Sequence, residues 1–278
     1  MRVLVAIAGL THSQLVLDMA AQVGRLTDEP LTLMTVVGQA SECAEAGRVL
    51  DRASELLTRE VPGVCTLIRV GQPANEIVRE AATRPYDVVI VGDRQPFQRS
   101  SRLIVGSTTA QVVDRSPCPV LVAKGAIRPI RHVLVCDSGA QNPPVLGCLT
   151  QRMATLLRAE PAVTLLHVMG QLSADWYGDD DLLADPKDPL EECAPPSDIF
   201  KRGVQALEQF GIRPRAKLRH GSVADEIVAE ANSQDYQLVV IGAQCGDFWR
   251  HSLLNDLAHQ IIARLDCPIL VACSSVRA

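Results

Sequence analysis

Two segments of the chain, Gly71–Gly92 (GQPANEIVREAATRPYDVVIVG) and Gly221–Gly242 (GSVADEIVAEANSQDYQLVVIG), share ten identities in 22 positions at a separation of 150 residues, without a gap. An internal repeat of this kind decides the architecture before any single residue does. The opening segments Val3-Leu4-Val5-Ala6 and Val133-Leu134-Val135-Cys136 match at a separation of 130. The closing segments Cys118–Ala123 (CPVLVA) and Cys267–Ala272 (CPILVA) match at 149. One duplication accounts for all three: the second half carries an insertion, and the first has an extra residue after Gly92.

Each half alternates two hydrophobic periods. In the first, Val3–Ala8 reads as a strand. Leu15, Val16, Met19, Ala20, Val23 and Leu26 form a helical stripe, and Leu31–Val37 a second strand. Leu50, Ala53, Leu56 and Leu57 mark a helix, and Val64–Val70 a third strand. Pro73 opens the next helix, where its missing N–H costs nothing, and Ile77, Val78 and Ala81 give that helix a buried side. Val88–Val91 is unbroken apolar sequence, as a strand buried on both faces should be. A short helix at Thr108–Asp114 leads to the final strand Val120–Ala123. In the second half Ser222 and Asp225 have capping-box spacing. Strands alternating with helices imply right-handed crossovers and a parallel sheet. The expected fold is α/β: two tandem doubly wound (Rossmann-like) domains, each with a five-stranded parallel sheet. Ligands should bind beyond the carboxyl ends of the strands where strand order reverses, after Ala8 and Gly92 in one half and after Asp137 and Gly242 in the other.

The expected domains are 1–126 and 130–278, joined by the Pro-containing Gly125–Ile130. Residues 172–198 form an acidic, Pro-rich insertion expected to be mobile and dispensable for folding, although Trp176, Tyr177, Leu182 and Leu183 are able to anchor it. A net charge of −5 without a long Lys/Arg run speaks against nucleic-acid binding. The start is too short for a signal-peptide core and no apolar run approaches about 20 residues, so no membrane partner and a cytoplasmic location are expected. Nine cysteines without a C-x-x-C pair read as buried free thiols. Cys118 and Cys267, at matching places before a proline, read as packing residues.

The G-x-x-A-x-E-I-V helix start, the D-V-V-I-V-G strand end, Gly106-Ser107 and the P-C-P-V-L-V-A closing strand together resemble the universal stress protein (UspA-like) family, twice over. In that family ATP binders resemble one another in an Asp after the first strand and a G-x-x-G-x9-G-[ST] loop after the fourth. Small residues there let backbone N–H groups approach phosphates at a helix N-terminus. The resemblance implies a non-enzymatic stress-response or signalling protein in which each half keeps a different part of that site. In the first half Gly92, Gly106, Ser107 and Thr108 fit the loop. Gln95 replaces the second glycine, the spacer is one residue longer, and Ala8 stands at the Asp position. In the second, Asp137 matches the Asp if the strands are shifted by one residue, and Gly242 matches the first glycine. Cys245, Asn255 and Asp256 replace the others, and a carboxylate there repels phosphate. ATP is therefore expected, weakly, in the first domain only.

No catalytic and no metal residues are expected. His251, Asn255 and His259 have helical spacing without a third strong ligand. Arg99, Arg102 and Arg250 read as solvated loop residues, Thr11 and Ser13 as helix caps, and His167 as structural. The closing strands resemble the edges through which the family dimerises, so an internal pseudo-dimer is expected, with a further homodimer left open. Two alternatives stay open as well: an ATP-independent scaffold whose insertion binds a protein partner, and an ATP-hydrolysing enzyme. The enzyme class would resemble S-G-G-x-D-S after the first strand, where this chain has AIAGLTHS and VCDSGAQN.

Overall fold

Among the described residues, ten strands form one sheet in the order β3-β2-β1-β4-β5-β10-β9-β6-β7-β8. In this computed structural model the described residues are 1–9, 13–93, 106–137, 144–149, 153–157, 161–169, 195–243 and 251–273. The first half supplies β1 (Val3–Ile7), β2 (Leu31–Val37), β3 (Val64–Val70), β4 (Val88–Gly92) and β5 (Val120–Ala123). The second supplies β6 (His132–Asp137), β7 (Ala162–Met169), β8 (Arg215–His220), β9 (Leu238–Ala243) and β10 (Ile269–Cys273). Within each half all pairings are parallel. Between the halves β5 and β10 run antiparallel, with Val122 opposite Ile269 and Val120 opposite Val271. That pairing satisfies two backbone edges that would otherwise be open templates for aggregation.

The helices are α1 (Gln14–Gly24), α2 (Cys43–Leu57), α3 (Pro73–Thr83), α4 (Ser107–Arg115), α5 (Pro144–Gly147), α6 (Ala154–Leu157), α7 (Pro195–Glu208), α8 (Val223–Ser233) and α9 (His251–Arg264). Alternation along the strands sorts them into two layers. Val3, Val5, Ile7, Val88 and Ile90 face α1 and α2, and their counterparts Val133 and Val135 pack in the same core as Leu156 and Phe200. Leu4, Val89, Val91, Leu134 and Val239 belong to the opposite core with α3, α4, α8 and α9. Covered on both faces, β4 needs the continuous apolar run that marks it in the sequence.

Two expected core positions lie outside. Leu15 is 38% and Leu56 46% exposed, whereas Val16 and Leu57, their chain neighbours, are buried. One residue is about 100° of helix rotation, enough to leave a narrow apolar stripe. The insertion also ends earlier than expected. α7 begins at Pro195, with prolines suited to a first helical turn; the rest of the expected insertion lies outside the described residues. Of the described cysteines, Cys118, Cys136 and Cys148 are buried, Cys43 and Cys267 half-buried, and Cys65 exposed on the edge strand β3. Burial pushes the Cys267 thiol up to about 11, so it stays protonated.

The repeat also carries a buried carboxylate. Glu80 on α3 is 2% exposed and meets Arg69 at 2.6 Å and the Tyr86 hydroxyl at 3.1 Å. Glu230 on α8 is fully buried and meets Lys217 at 2.7 Å, Arg219 at 2.7 Å and the Tyr236 hydroxyl at 2.9 Å. These groups satisfy each carboxylate in place of water. Ser222 stands at the N-cap of α8 without a side-chain cap bond. The Asp225 side chain is held instead by Arg264 at 2.6 Å.

Candidate functional site

In the order 3-2-1-4-5 the chain leaves β1 on one side for β2 and returns on the other for β4 and β5. The crevice of each half therefore opens past the carboxyl ends of β1 and β4, and of β6 and β9. The register Val5 opposite Ile90, extended by two, sets Ile7 level with Gly92. Likewise Val135 opposite Val240 sets Asp137 level with Gly242. Asp137 is thus the counterpart of Ile7, not of Ala8, because both opening strands keep the separation of 130. Its side chain is 5% exposed at the strand end. Ala8 lies one residue past β1, is exposed, and donates its N–H to Ser13 Oγ at 3.2 Å. Ser13 occupies the N-cap position of α1, but its side chain makes no cap bond and serves this turn instead.

In the first half three contacts tie the end of β4 to its neighbours and to the start of α4. Gly92 packs against α1: a Cβ there would lie 2.8 Å from Val16 Cγ2. Thr109, in the first turn of α4, donates from Oγ1 to the Gly92 carbonyl at 2.8 Å, tying that turn to the strand end. Gly106 is the N-cap of α4, followed by Ser107 and Thr108 as its first residues. The first turn itself has no acidic residue, and its N–H groups form the positive end of the helix dipole. Gln95 lies outside the described residues, as do Arg99, Arg102, Arg250, Cys245 and Thr11. Three residues that the sequence pattern does not single out complete the arrangement: Thr109, Asp93 and Lys124. The Asp93 carboxylate accepts the Gly106 N–H at 3.1 Å and meets Lys124 Nζ at 3.5 Å.

The second half departs from this plan. Asn255 and Asp256 stand where Gly106 and Ser107 do in the first half, but they lie inside α9, which begins at His251. Asn255 lacks the freedom of glycine to leave the helix, and the helix runs back past it. Asp256 thus lies a turn inside the helix. His259 faces the first half, with Nε2 3.0 Å from Asp114 Oδ1 on α4. His167 shares a hydrogen bond between its Nδ1 and the Asp137 carbonyl at 2.9 Å and meets the Phe200 ring edge-on at 6.4 Å, a structural role.

The fold and crevices define a duplicated, doubly wound α/β protein with a helix N-terminus at the switch point of its first half. The model of the Universal stress protein family matches residues 1–124 and again 130–272, and the chain belongs to that family. It is 31% identical over 120 residues to a universal stress protein of Synechocystis, a match covering 43% of this chain and 41% of the relative. The fold is shared with a universal stress protein from Archaeoglobus fulgidus at a TM-score of 0.73 and 14% identity, covering 98% of this chain and 96% of that one. A functionally unknown protein from Pseudomonas aeruginosa superposes at a TM-score of 0.66 with 17% identity, over 99% and 92% of the two chains. No helix among the described residues is long and apolar enough to cross a membrane.

Proposed function

We propose that the protein is a non-enzymatic stress-response or signalling module of the cytoplasm, built of domains 1–126 and 130–278 as an internal pseudo-dimer, which takes ATP weakly in the first domain. The observation that supports this most is the start of α4. Gly106 caps α4 beside the carboxyl end of β4 with its N–H held by Asp93, Ser107 and Thr108 begin the helix, and the first turn itself carries no acid. The nucleoside end of the site is poorer. Ala8, one residue past β1, offers no side-chain acceptor, and a missing hydrogen bond of that kind forfeits about 1 kcal/mol net. Affinity is therefore modest.

Calorimetric titration of ATP into wild type and Ala8→Asp tests the reading. The variant is expected to bind roughly fivefold more tightly, the factor that about 1 kcal/mol supplies. Equal affinities would remove Ala8 from the site. Binding confined to the second domain, followed by the loss of binding when residues there are changed, would overturn the assignment to the first.

A further inference from the structure

The Asp93–Lys124 pair is unusual for its place. Both side chains are 3% exposed, although each follows directly on a strand end that borders the crevice. A buried ion pair is retained only where its remaining polar atoms find partners, and here they do. Asp93 Oδ1 takes the Gly106 N–H at 3.1 Å, Oδ2 faces Lys124 Nζ at 3.5 Å, and Lys124 also donates to the Ile262 carbonyl in the last turn of α9. Lys124 is thereby fixed from the second domain, and it holds the carboxylate in turn. The pair has no counterpart in the other half, where the repeat places Ala243 and Cys273.

We infer that Asp93 is the specificity-determining residue of the first-domain site: its carboxylate occupies the anion position at the start of α4 and makes the site select against phosphate. The inference rests on the nucleotide reading above and says what that site discriminates. A phosphate oxygen seeking the Gly106 N–H must first displace a charged acceptor, and hydrogen bonds to charged groups are the stronger kind. The displaced carboxylate then remains within a few ångströms of the incoming anion, and the two repel. Lys124 relieves little of this, because its charge is already balanced by Asp93 and its position is set by Ile262. A ligand that leaves the anion position alone meets no such barrier. Adenosine is therefore accepted as well as ATP, and the triphosphate adds nothing to affinity in the wild type. Removing the carboxylate reverses both terms at once: the Gly106 N–H is released, and the Lys124 ammonium is left as an uncompensated cation beside it.

The test titrates ATP, adenosine and inorganic tripolyphosphate into wild type and Asp93→Ser, after thermal melting has shown that the variant is folded. Asp93→Ser is expected to bind ATP and tripolyphosphate at least tenfold more tightly than wild type, with adenosine unchanged. If the serine variant does not fold, because an unpaired buried ammonium is costly, Asp93→Asn keeps the shape and the neutral hydrogen bond. It should still gain several-fold for both anions. A folded variant that binds tripolyphosphate no better than wild type overturns the role of Asp93. Failure of adenosine to bind either protein, with the gain for tripolyphosphate present, removes the nucleotide reading and leaves the anion selection standing.

Discussion

Replacing Gly125 with alanine is expected to destabilise the protein by about 3 kcal/mol or more, a large fraction of a typical domain's stability. Two effects add. Gly125 has φ +64, a left-handed conformation that is strained for any residue with a Cβ. The Cβ would also stand 1.8 Å from the backbone carbonyl oxygen of Asp266, an atom that cannot swing away as a side chain does. Overpacking alone usually costs about 1–3 kcal/mol. The location magnifies the consequence. Gly125 follows β5 and Lys124, and Asp266 lies just before β10, so relief of the clash requires parting the strand pair that joins the halves. Thermal melting should show a Tm lower by roughly 6–12 °C, from the usual 2–4 °C per kcal/mol in chains of about this size. A variant melting within about 2 °C of wild type would show that the junction is not held as described. The same residue reads in the sequence only as the first of a short linker, since neither its φ nor the approach of Asp266 leaves a local trace.

What could be read from sequence was whatever repeats or has a period. The limits expected for the second, third and closing strands of the first half, Leu31–Val37, Val64–Val70 and Val120–Ala123, are those observed. Each is a bounded apolar or alternating run between breakers, and periodicity of that type is the strongest local signal available. The family resemblance likewise stands on motifs in a fixed order, and the family match covers both halves. The site was less legible because it depends on phase and on distant pairing. Setting Asp137 against Ala8 needs a one-residue slip, which in a strand moves a side chain to the other face; the register keeps Asp137 beside Gly242 and opposite the place of Ile7. The start of α9 depends on whether Asn255 ends a helix, a choice its propensity leaves to tertiary context. Asp93 and Lys124 each look like a solvated charge after a strand. Only the meeting of β4, β5 and α9 buries them together, and nothing in the residues around either one announces that meeting.

Glu230→Gln is expected to lower stability by about 2–3 kcal/mol at neutral pH and progressively less in acid. The carboxylate is fully buried, so burial works first to raise its pKa. Hydrogen bonds from Lys217, Arg219 and Tyr236 outweigh that and hold it below the ordinary glutamate range. Burial and the adjacent Glu230 meanwhile push the Tyr236 phenol up to about 12, so it remains a donor throughout. Glutamine has the shape to accept from Tyr236 but leaves Lys217 without its counter-charge and Arg219 with Glu226 alone. Breaking a buried pair in this way typically costs about 3–5 kcal/mol. The lower figure applies here because Lys217 and Arg219 are 28% and 26% exposed and water partly compensates them. The sign of the pH dependence follows from the depressed pKa. The folded state binds its proton less readily than the unfolded chain, so the contribution of Glu230 is complete above the unfolded value of about 4.3 and is lost as pH falls through the lower folded value. Urea midpoints for wild type and Glu230→Gln, measured from pH 7 to pH 3, should therefore converge below about pH 4.3, as the native carboxyl gains its own proton. A gap between the two proteins that stays constant across that range would mean that the charge of Glu230 contributes nothing and that the change acts through packing alone.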